Sequence, residues 1–402
     1  MRVAMFTDSF YPELGGIQDS IQTIARSLSN RNYQILIVAP RASSYDFHLA
    51  KKPVQEIDLG ENVHIHRLPA LKIPSSTRQS RLVIPTGLCW RTLKKFRPDI
   101  IHTHTFLSAG WEALRASKKL QIPLVGTNHW AIGEFGQYAP LSADFFSQMS
   151  VKWVTRYYNH CQMVSAPSLS VIDEMLRFGL NSSHQVVSNP IDTGLFHSVS
   201  SEERELLKQR FGFTNNTILY AGRLADEKNI DVLIRALAIA VKRIPSTILA
   251  LAGQGAAKAR LGRLAKSLGV AEHVKFLGVL DSATLAKAYQ AADLFSIAST
   301  TETQSMVLLQ AMSSGLAAVG ARWRALPEYI DPRSGRLAEP GNPEHFAEHF
   351  LMLLSHSQLR EQLGQFARDK VQRYSINDVT TRWEKIYRQT CRNFSHSFQA
   401  YT

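Results

Sequence analysis

The sequence predicts an α/β protein of two doubly wound domains facing a central cleft. Three observations carry this. Short apolar runs alternate with helix-period segments almost throughout. The runs are continuously apolar rather than alternating, as parallel strands covered on both faces must be. And 402 residues are too many for one core but comfortable for two domains of about 200.

In the first half, strands are expected near Val3–Thr7, Gln34–Ala39, Val63–Arg67, Ile100–His104, Leu124–Thr127, Met163–Ala166 and Gln185–Val187. The second half offers Thr217–Ala221, Thr247–Ala252, Val274–Gly278, Leu294–Ala298 and Ala317–Gly320. Helical periods lie between, as at Ile17–Leu28, Ile230–Val241 and Thr284–Ala291. Pro, Asp and Gly crowd together in Asn189-Pro190-Ile191-Asp192-Thr193-Gly194, which reads as a linker. This divides the chain into domains 1–190 and 191–375. Beyond Pro340 the pattern is helical, at about 342–355, 357–373 and 376–391, and the last stretch, 376–402, is expected to complete the first domain. Ligands of doubly wound sheets bind at the carboxyl ends of the strands.

A net charge of +13, spread over both halves, points to phosphates or an anionic membrane surface rather than nucleic acid. Cys89, Cys161 and Cys391 are far apart, with neither metal-ligand spacing nor a disulfide framework, so no metal is expected and a reducing compartment fits. The apolar run after Met1-Arg2 is too short for a signal peptide, and no later run reaches transmembrane length. The expectation is a cytoplasmic protein that touches a membrane without crossing it.

Four segments are placed to do chemistry. In Ser299–Met312 a strand runs into small polar residues and a helix, with Thr300 and Thr301 suited to the cap and Val307, Leu308 and Met312 to the buried face. Glu302 then stands at a strand end beside free helix N–H groups, where Thr303, Gln304 and Ser305 suit a diphosphate. A plain capped helix is the alternative. Asp8–Gly16 places paired glycines, Gly15 and Gly16, before a helix. It is not the dinucleotide G-x-G-x-x-G, so a nicotinamide cofactor is unsupported. His129 follows the strand Leu124–Gly126, and His102 and His104 follow another; these two read as strand-end packing. In Leu219–Asn229, Gly222 precedes Arg223 and Lys228, a fork and a point charge suited to a diphosphate or, more plainly, two solvated cations.

Together these motifs resemble the retaining glycosyltransferases of family 4, which have the GT-B fold of two Rossmann-like domains. The resemblance covers nearly the whole chain. Gly15 and Gly16 match the family's P-x-x-G-G loop near the donor phosphates, and Arg223 and Lys228 match its G-R-x-x-x-x-K signature, which neutralises the leaving diphosphate. His129 matches a histidine near the donor sugar or reaction centre. Gly253-Gln254-Gly255 also recurs in the family. In the E-x7-E pattern the first Glu holds sugar hydroxyls and the second the ribose; here they are Glu302 and Gln310. Gln310 keeps an acceptor oxygen but loses the charge-assisted bond. Trp323-Arg324-Ala325-Leu326 replaces the family's Gly-rich turn before Pro327-Glu328.

The resemblance implies transfer of a hexose from a UDP- or GDP-sugar to a membrane lipid, diacylglycerol being the nearest analogy, or to a glycan. The nucleotide sugar is a co-substrate, and no cofactor or obligatory metal is implied. Closure of the cleft would exclude water. A non-catalytic nucleotide-sugar-binding partner subunit and a nucleotide-sugar epimerase are the alternatives. Six cations, Arg78, Arg81, Arg91, Lys94, Lys95 and Arg97, lie among Leu, Trp and Phe, a composition suited to an anionic lipid interface with the aromatic side down. An ordinary helix packed on the sheet is the alternative there.

Overall fold

The computed structural model describes residues 1–13, 15–73, 80–131 and 143–399. The chain divides into two compact units, Met1–Pro190 with Ile376–Thr402, and Ile191–Ser375.

The first unit runs β1 (Arg2–Phe6), α1 (Gly16–Ser29), β2 (Gln34–Pro40), α2 (Ser44–Leu49), β3 (Val63–Leu68), β4 (Ala70–Lys72), β5 (Arg81–Val83), α3 (Trp90–Phe96), β6 (Ile100–Thr103), α4 (Ser108–Leu120), β7 (Leu124–Thr127), α5 (Ala143–Tyr158), β8 (Met163–Ala166), α6 (Leu169–Arg177) and β9 (Ser183–Val186). Seven strands form one parallel sheet in the order β3-β2-β1-β6-β7-β8-β9, with β4 and β5 a separate antiparallel pair. Strand order reverses between β1 and β6, and Val3 pairs with Ile35 on one side and Ile100 on the other.

The second unit runs α7 (Ser201–Phe211), β10 (Thr217–Ala221), α8 (Ile230–Ala240), β11 (Ile248–Ala252), α9 (Lys258–Ser267), β12 (Val274–Gly278), α10 (Ser282–Ala291), β13 (Leu294–Ile297), α11 (Met306–Ser313), β14 (Ala317–Ala321), α12 (Leu326–Tyr329), β15 (Gly335–Ala338), α13 (Pro343–Ser355) and α14 (Ser357–Val371). Its parallel sheet has the order β12-β11-β10-β13-β14-β15, reversing between β10 and β13. The last helix, α15 (Ile376–Gln399), belongs to the first unit.

Side-chain alternation along β1 explains the layering. Ala4 and Phe6 point to a core shared with α3, α4, α5 and α6, while Val3 and Met5 point to a core shared with α1 and α15. α15 offers Val379, Trp383, Ile386 and Tyr387, a helical stripe, and all four are buried. Thr380 bonds Ser27 at 2.9 Å and Arg31 pairs with Glu384 at 2.5 Å, fixing α15 against α1. The helix continues to Gln399, past its expected end near 391, because no Gly or Pro stops it.

In the second unit Asp293, at the start of β13, gathers cations from two helices. Its carboxylate accepts from Arg204 at 2.8 Å and Lys208 at 2.9 Å, with Arg360 at 3.9 Å and the Thr217 backbone N–H at 2.9 Å. The short strand β15 escaped the sequence reading: Arg336 interrupts an apolar run of only four residues.

Candidate active site

The reversal point of the second sheet brings two loops side by side. One follows β10 and carries Gly222, Arg223 and Lys228; the other follows β13 and carries Glu302. Asn229 ties them together. It adopts a left-handed conformation (φ 50°), and its Nδ2 donates to the Ala298 carbonyl at 3.2 Å and Thr300 Oγ1 at 3.3 Å. Tyr220 Oη donates to the Arg223 carbonyl at 3.0 Å, fixing the base of the first loop. The glycines after β11 have a structural reason: a Cβ at Gly253 would lie 1.8 Å from the Gly222 carbonyl oxygen, and one at Gly255 would lie 2.1 Å from that of Leu224. Backbone packs on backbone there, and Leu224 N–H donates to the Gln254 carbonyl at 3.0 Å.

Lys228 Nζ meets Glu302 Oε1 at 2.6 Å, with side chains 18% and 12% exposed. Burial pushes the Glu302 carboxyl up, but Lys228 beside it, with help from Ser299 and Arg223, outweighs burial and holds it below its ordinary value. Glu302 is therefore ionised at neutral pH. Arg223 contributes to that field but bonds Glu227 at 2.5 Å, four residues on, and its side chain is 43% exposed. The structure thus joins Lys228 to Glu302 directly and leaves Arg223 on the rim of the same loop. Glu227, Asn229 and Tyr220 belong to Leu219–Asn229, but residue type and spacing give them no part there; only their bonds in space identify one.

The helix after Glu302 starts later than expected. Ser305, not Thr300 or Thr301, caps α11: its Oγ accepts from Leu308 N–H at 3.3 Å. Thr300 is instead drawn to Asn229, so 300–304 stays a loop. Leu308 and Met312 are buried as expected, with Val307 half-buried. Gln304 is 7% exposed and its side chain bonds Tyr329. Gln310 lies inside α11 with a buried Oε1 that has no hydrogen-bond partner among the described residues. In the Gly-less turn, Arg324 takes the left-handed conformation (φ 46°) and Trp323 stands 48% exposed, while Ala325 and Leu326 are fully buried.

Gly15, Gly16 and His129 lie in the first unit. Gly15 and Gly16 are exposed at the start of α1, where a Cβ on Gly15 would meet only the end of the Gln18 side chain. In the same motif Asp8 is committed to structure. Its oxygens accept from Ala109 N–H at 3.2 Å and Thr105 Oγ1 at 2.9 Å, closing the start of α4. His129 is 8% exposed and its Nε2 lies 3.1 Å from His104 Nδ1. His102, its ring tilted against that of His104 at 3.9 Å, bonds Tyr387 and Thr127, each at 2.7 Å. Packing is indeed what occupies His102, whereas His104 is the direct partner of His129, a pairing that separation in sequence concealed.

Burial depresses all three imidazoles, His129 to about 4 and the other two well below their ordinary value. Each binds a proton in the unfolded chain from about pH 6.5 downward but not in the folded one. Their contribution is complete above that value and is lost as pH falls toward 4, on the order of 3 kcal/mol for His129 alone. Asp8 and Glu13, raised by burial, act in the opposite sense. The expected result is that urea unfolding of His104→Gln shows a shallower loss of stability between neutral pH and pH 5 than the unsubstituted chain. Equal slopes would remove the imidazoles as the cause.

The basic segment is only partly as expected. Arg78 lies outside the described residues. Arg81 is not available to lipid: it bonds buried Asp46 at 2.6 Å and Ser43 at 2.8 Å, since a guanidinium beside a buried carboxylate is held there. Arg91, Lys94, Lys95 and Arg97 are exposed. The aromatic side of α3 does not face outward, however. Trp90 and Phe96 pack on the first-unit core, with Lys119 3.7 Å from the Trp90 ring.

Known proteins agree with this architecture. The family model described as glycosyl transferases group 1 matches residues 203–370, and that described as Glycosyltransferase Family 4 matches 14–195. Alpha-monoglucosyldiacylglycerol synthase of Acholeplasma laidlawii is 26% identical over 326 residues, covering 79% of each chain. A GDP-mannose-dependent alpha-mannosyltransferase of Mycobacterium tuberculosis is 26% identical over 368 residues, 90% of each. The crystal structure of Anabaena HepE in complex with UDP superposes with a TM-score of 0.77 at 21% identity, over 96% of this chain and 99% of that one. With two doubly wound parallel sheets and both family models matched in order, the chain belongs to the glycosyltransferases of family 4 and has the GT-B fold.

Proposed function

We propose that this glycosyltransferase is a retaining hexosyltransferase that moves a hexose from a UDP- or GDP-sugar to a membrane lipid or a glycan. The Lys228–Glu302 pair at the reversal point of the second sheet carries the reading. The second unit takes the nucleotide sugar. Glu302, ionised, accepts hydrogen bonds from sugar hydroxyls and fixes the ring. Lys228, with Arg223, neutralises the charge that grows on the departing diphosphate. The N–H groups at Thr303, Gln304 and Ser305 suit the same anion, and those after Gly15 and Gly16, in the first unit, are of the kind that suits an anion. Gln310 offers its unpartnered Oε1 to a ribose hydroxyl. His129, neutral, is suited to contact with uncharged sugar hydroxyls.

In the retaining step the bond from the anomeric carbon to phosphate oxygen breaks, and the bond to the acceptor oxygen forms on the same face. The acceptor proton passes to the departing phosphate oxygen, so no protein base is needed. The first unit takes the acceptor, and the exposed cations Arg91, Lys94, Lys95 and Arg97 draw the protein to an anionic membrane surface as a peripheral protein. Among the described residues no helix is long and apolar enough to cross a membrane.

Gln310 favours a second reading, a nucleotide-sugar binder without turnover. One experiment separates the two. The purified protein is incubated with UDP-glucose, UDP-galactose or GDP-mannose on vesicles containing diacylglycerol and anionic lipid, and the organic extract is read by mass spectrometry. A hexosyl lipid is the expected product. No product from the unsubstituted protein, with product from Gln310→Glu, establishes the second reading. Donor consumed without acceptor, yielding an epimeric donor, sinks both.

A further inference from the structure

We propose that the outward face of α5 is a membrane anchor, with Phe145, Phe146, Met149 and Trp153 entering the interface of an anionic bilayer. The proposal deepens the reading of this unit as lipid-facing and rests on it, but it concerns a different helix and a different force.

The four side chains are 66%, 48%, 50% and 48% exposed. Three of them, at i, i+4 and i+8, form a stripe, with Phe146 beside it. The opposite side of α5 is the core side: Val151, Val154, Tyr157 and Tyr158 are no more than 1% exposed. Single apolar side chains on a surface need no explanation, whereas four large ones on one helix face mark a contact. Phenyl, indole and thioether groups are of the kind that settle among headgroups and upper acyl chains.

Charge identifies the partner. Asp144, in the first turn, is the one acid of α5, and no Asp or Glu follows between Phe145 and Ile172. Lys152 and Arg156 are exposed on α5 itself, and α4 adds exposed Arg115, Lys118 and Lys119. The one acid on α3 or α4, Glu112, is buried and consumed by the Gly87 and Cys89 N–H groups. These helices cover the same face of the first sheet, and Phe106 and Trp111 bridge them to Trp153 and Tyr157 at ring distances of 5.8 and 5.4 Å. An apolar stripe bordered by an excess of cations is complementary to anionic headgroups over acyl chains. α3 alone would give only electrostatic adsorption, because its Trp90 and Phe96 are taken up by the core. The stripe on α5 supplies the apolar part.

The test uses the full chain and vesicles of phosphatidylcholine with or without phosphatidylglycerol. Co-sedimentation of Phe145→Ser/Phe146→Ser/Met149→Ser/Trp153→Ser with anionic vesicles should fall by about tenfold or more relative to the unsubstituted chain. Lipids brominated in the acyl chain should quench tryptophan emission in the unsubstituted chain and quench it less in Trp153→Phe, a milder change that leaves the fold alone. Undiminished binding of the fourfold variant overturns the anchor. If Arg91→Glu/Lys94→Glu/Lys95→Glu/Arg97→Glu then loses binding, the lipid-facing reading survives without it; if the unsubstituted chain ignores anionic vesicles, both fall. A dimer in sedimentation velocity that the fourfold variant turns into a monomer also overturns the anchor, because a second copy then covers the stripe.

Discussion

Lys228→Ala is expected to lower hexosyl transfer by about 10³-fold with the fold retained. The reason is local. Lys228 Nζ sits 2.6 Å from Glu302, both side chains being mostly buried and so weakly screened, and in the proposed mechanism its ammonium is the close countercharge for both that carboxylate and a leaving diphosphate. Arg223 does not replace it, since its guanidinium is turned to Glu227 at 2.5 Å and is more exposed. Removing the ammonium also takes away the largest influence opposing burial and leaves the smaller ones of Ser299 and Arg223, so the Glu302 carboxyl rises toward protonation. The check is initial rate under saturating donor, alongside far-ultraviolet circular dichroism. Turnover within a few-fold of the unsubstituted enzyme, with folding intact, would exclude Lys228 from the mechanism.

The second large effect concerns stability rather than chemistry. Asp293→Asn should destabilise the second unit by about 3–5 kcal/mol, the usual cost of breaking a buried ion pair from one side. Asp293 is 3% exposed and Lys208 5%, so the substitution leaves a buried ammonium that has lost its carboxylate and faces only neutral amide oxygens there, that of Asn215 at 2.9 Å among them. Arg204 and Arg360 then face the same site without the carboxylate they converge on. Domains are stable by only about 5–15 kcal/mol, so a loss of this size is a large share of the total. Urea denaturation followed by fluorescence measures it. A change below about 1 kcal/mol would show that the cations find solvent instead.

The two structural failures in the site have a common cause. Thr300 and Thr301 have the chemistry of a helix cap, yet Ser305 caps α11 because Asn229, from a loop about seventy residues away, draws Thr300 aside. Likewise Arg81 has the composition of a lipid contact, but Asp46 holds it inside. A side chain's type states what bond it can make, whereas its partner is set by which distant segment the sheet order brings alongside.

By itself the sequence determined the α/β class, the strands that carry the cores, the loops bearing Arg223, Lys228 and Glu302, and the departure at Gln310. Those features are local: hydrophobic period, glycine positions and spacing within a single loop are written in consecutive residues. Only the tertiary structure decided that Lys228 meets Glu302, that Gly253 and Gly255 exist to let two loops touch through their backbones, and that His104 pairs with His129. It also decided which apolar side chains stay outside. Phe96 of α3 and Phe145 of α5 are the same residue type on similar basic helices, and one packs into a core while the other is 66% exposed. Burial is a property of the neighbours a helix finds, and those neighbours are chosen by long-range packing.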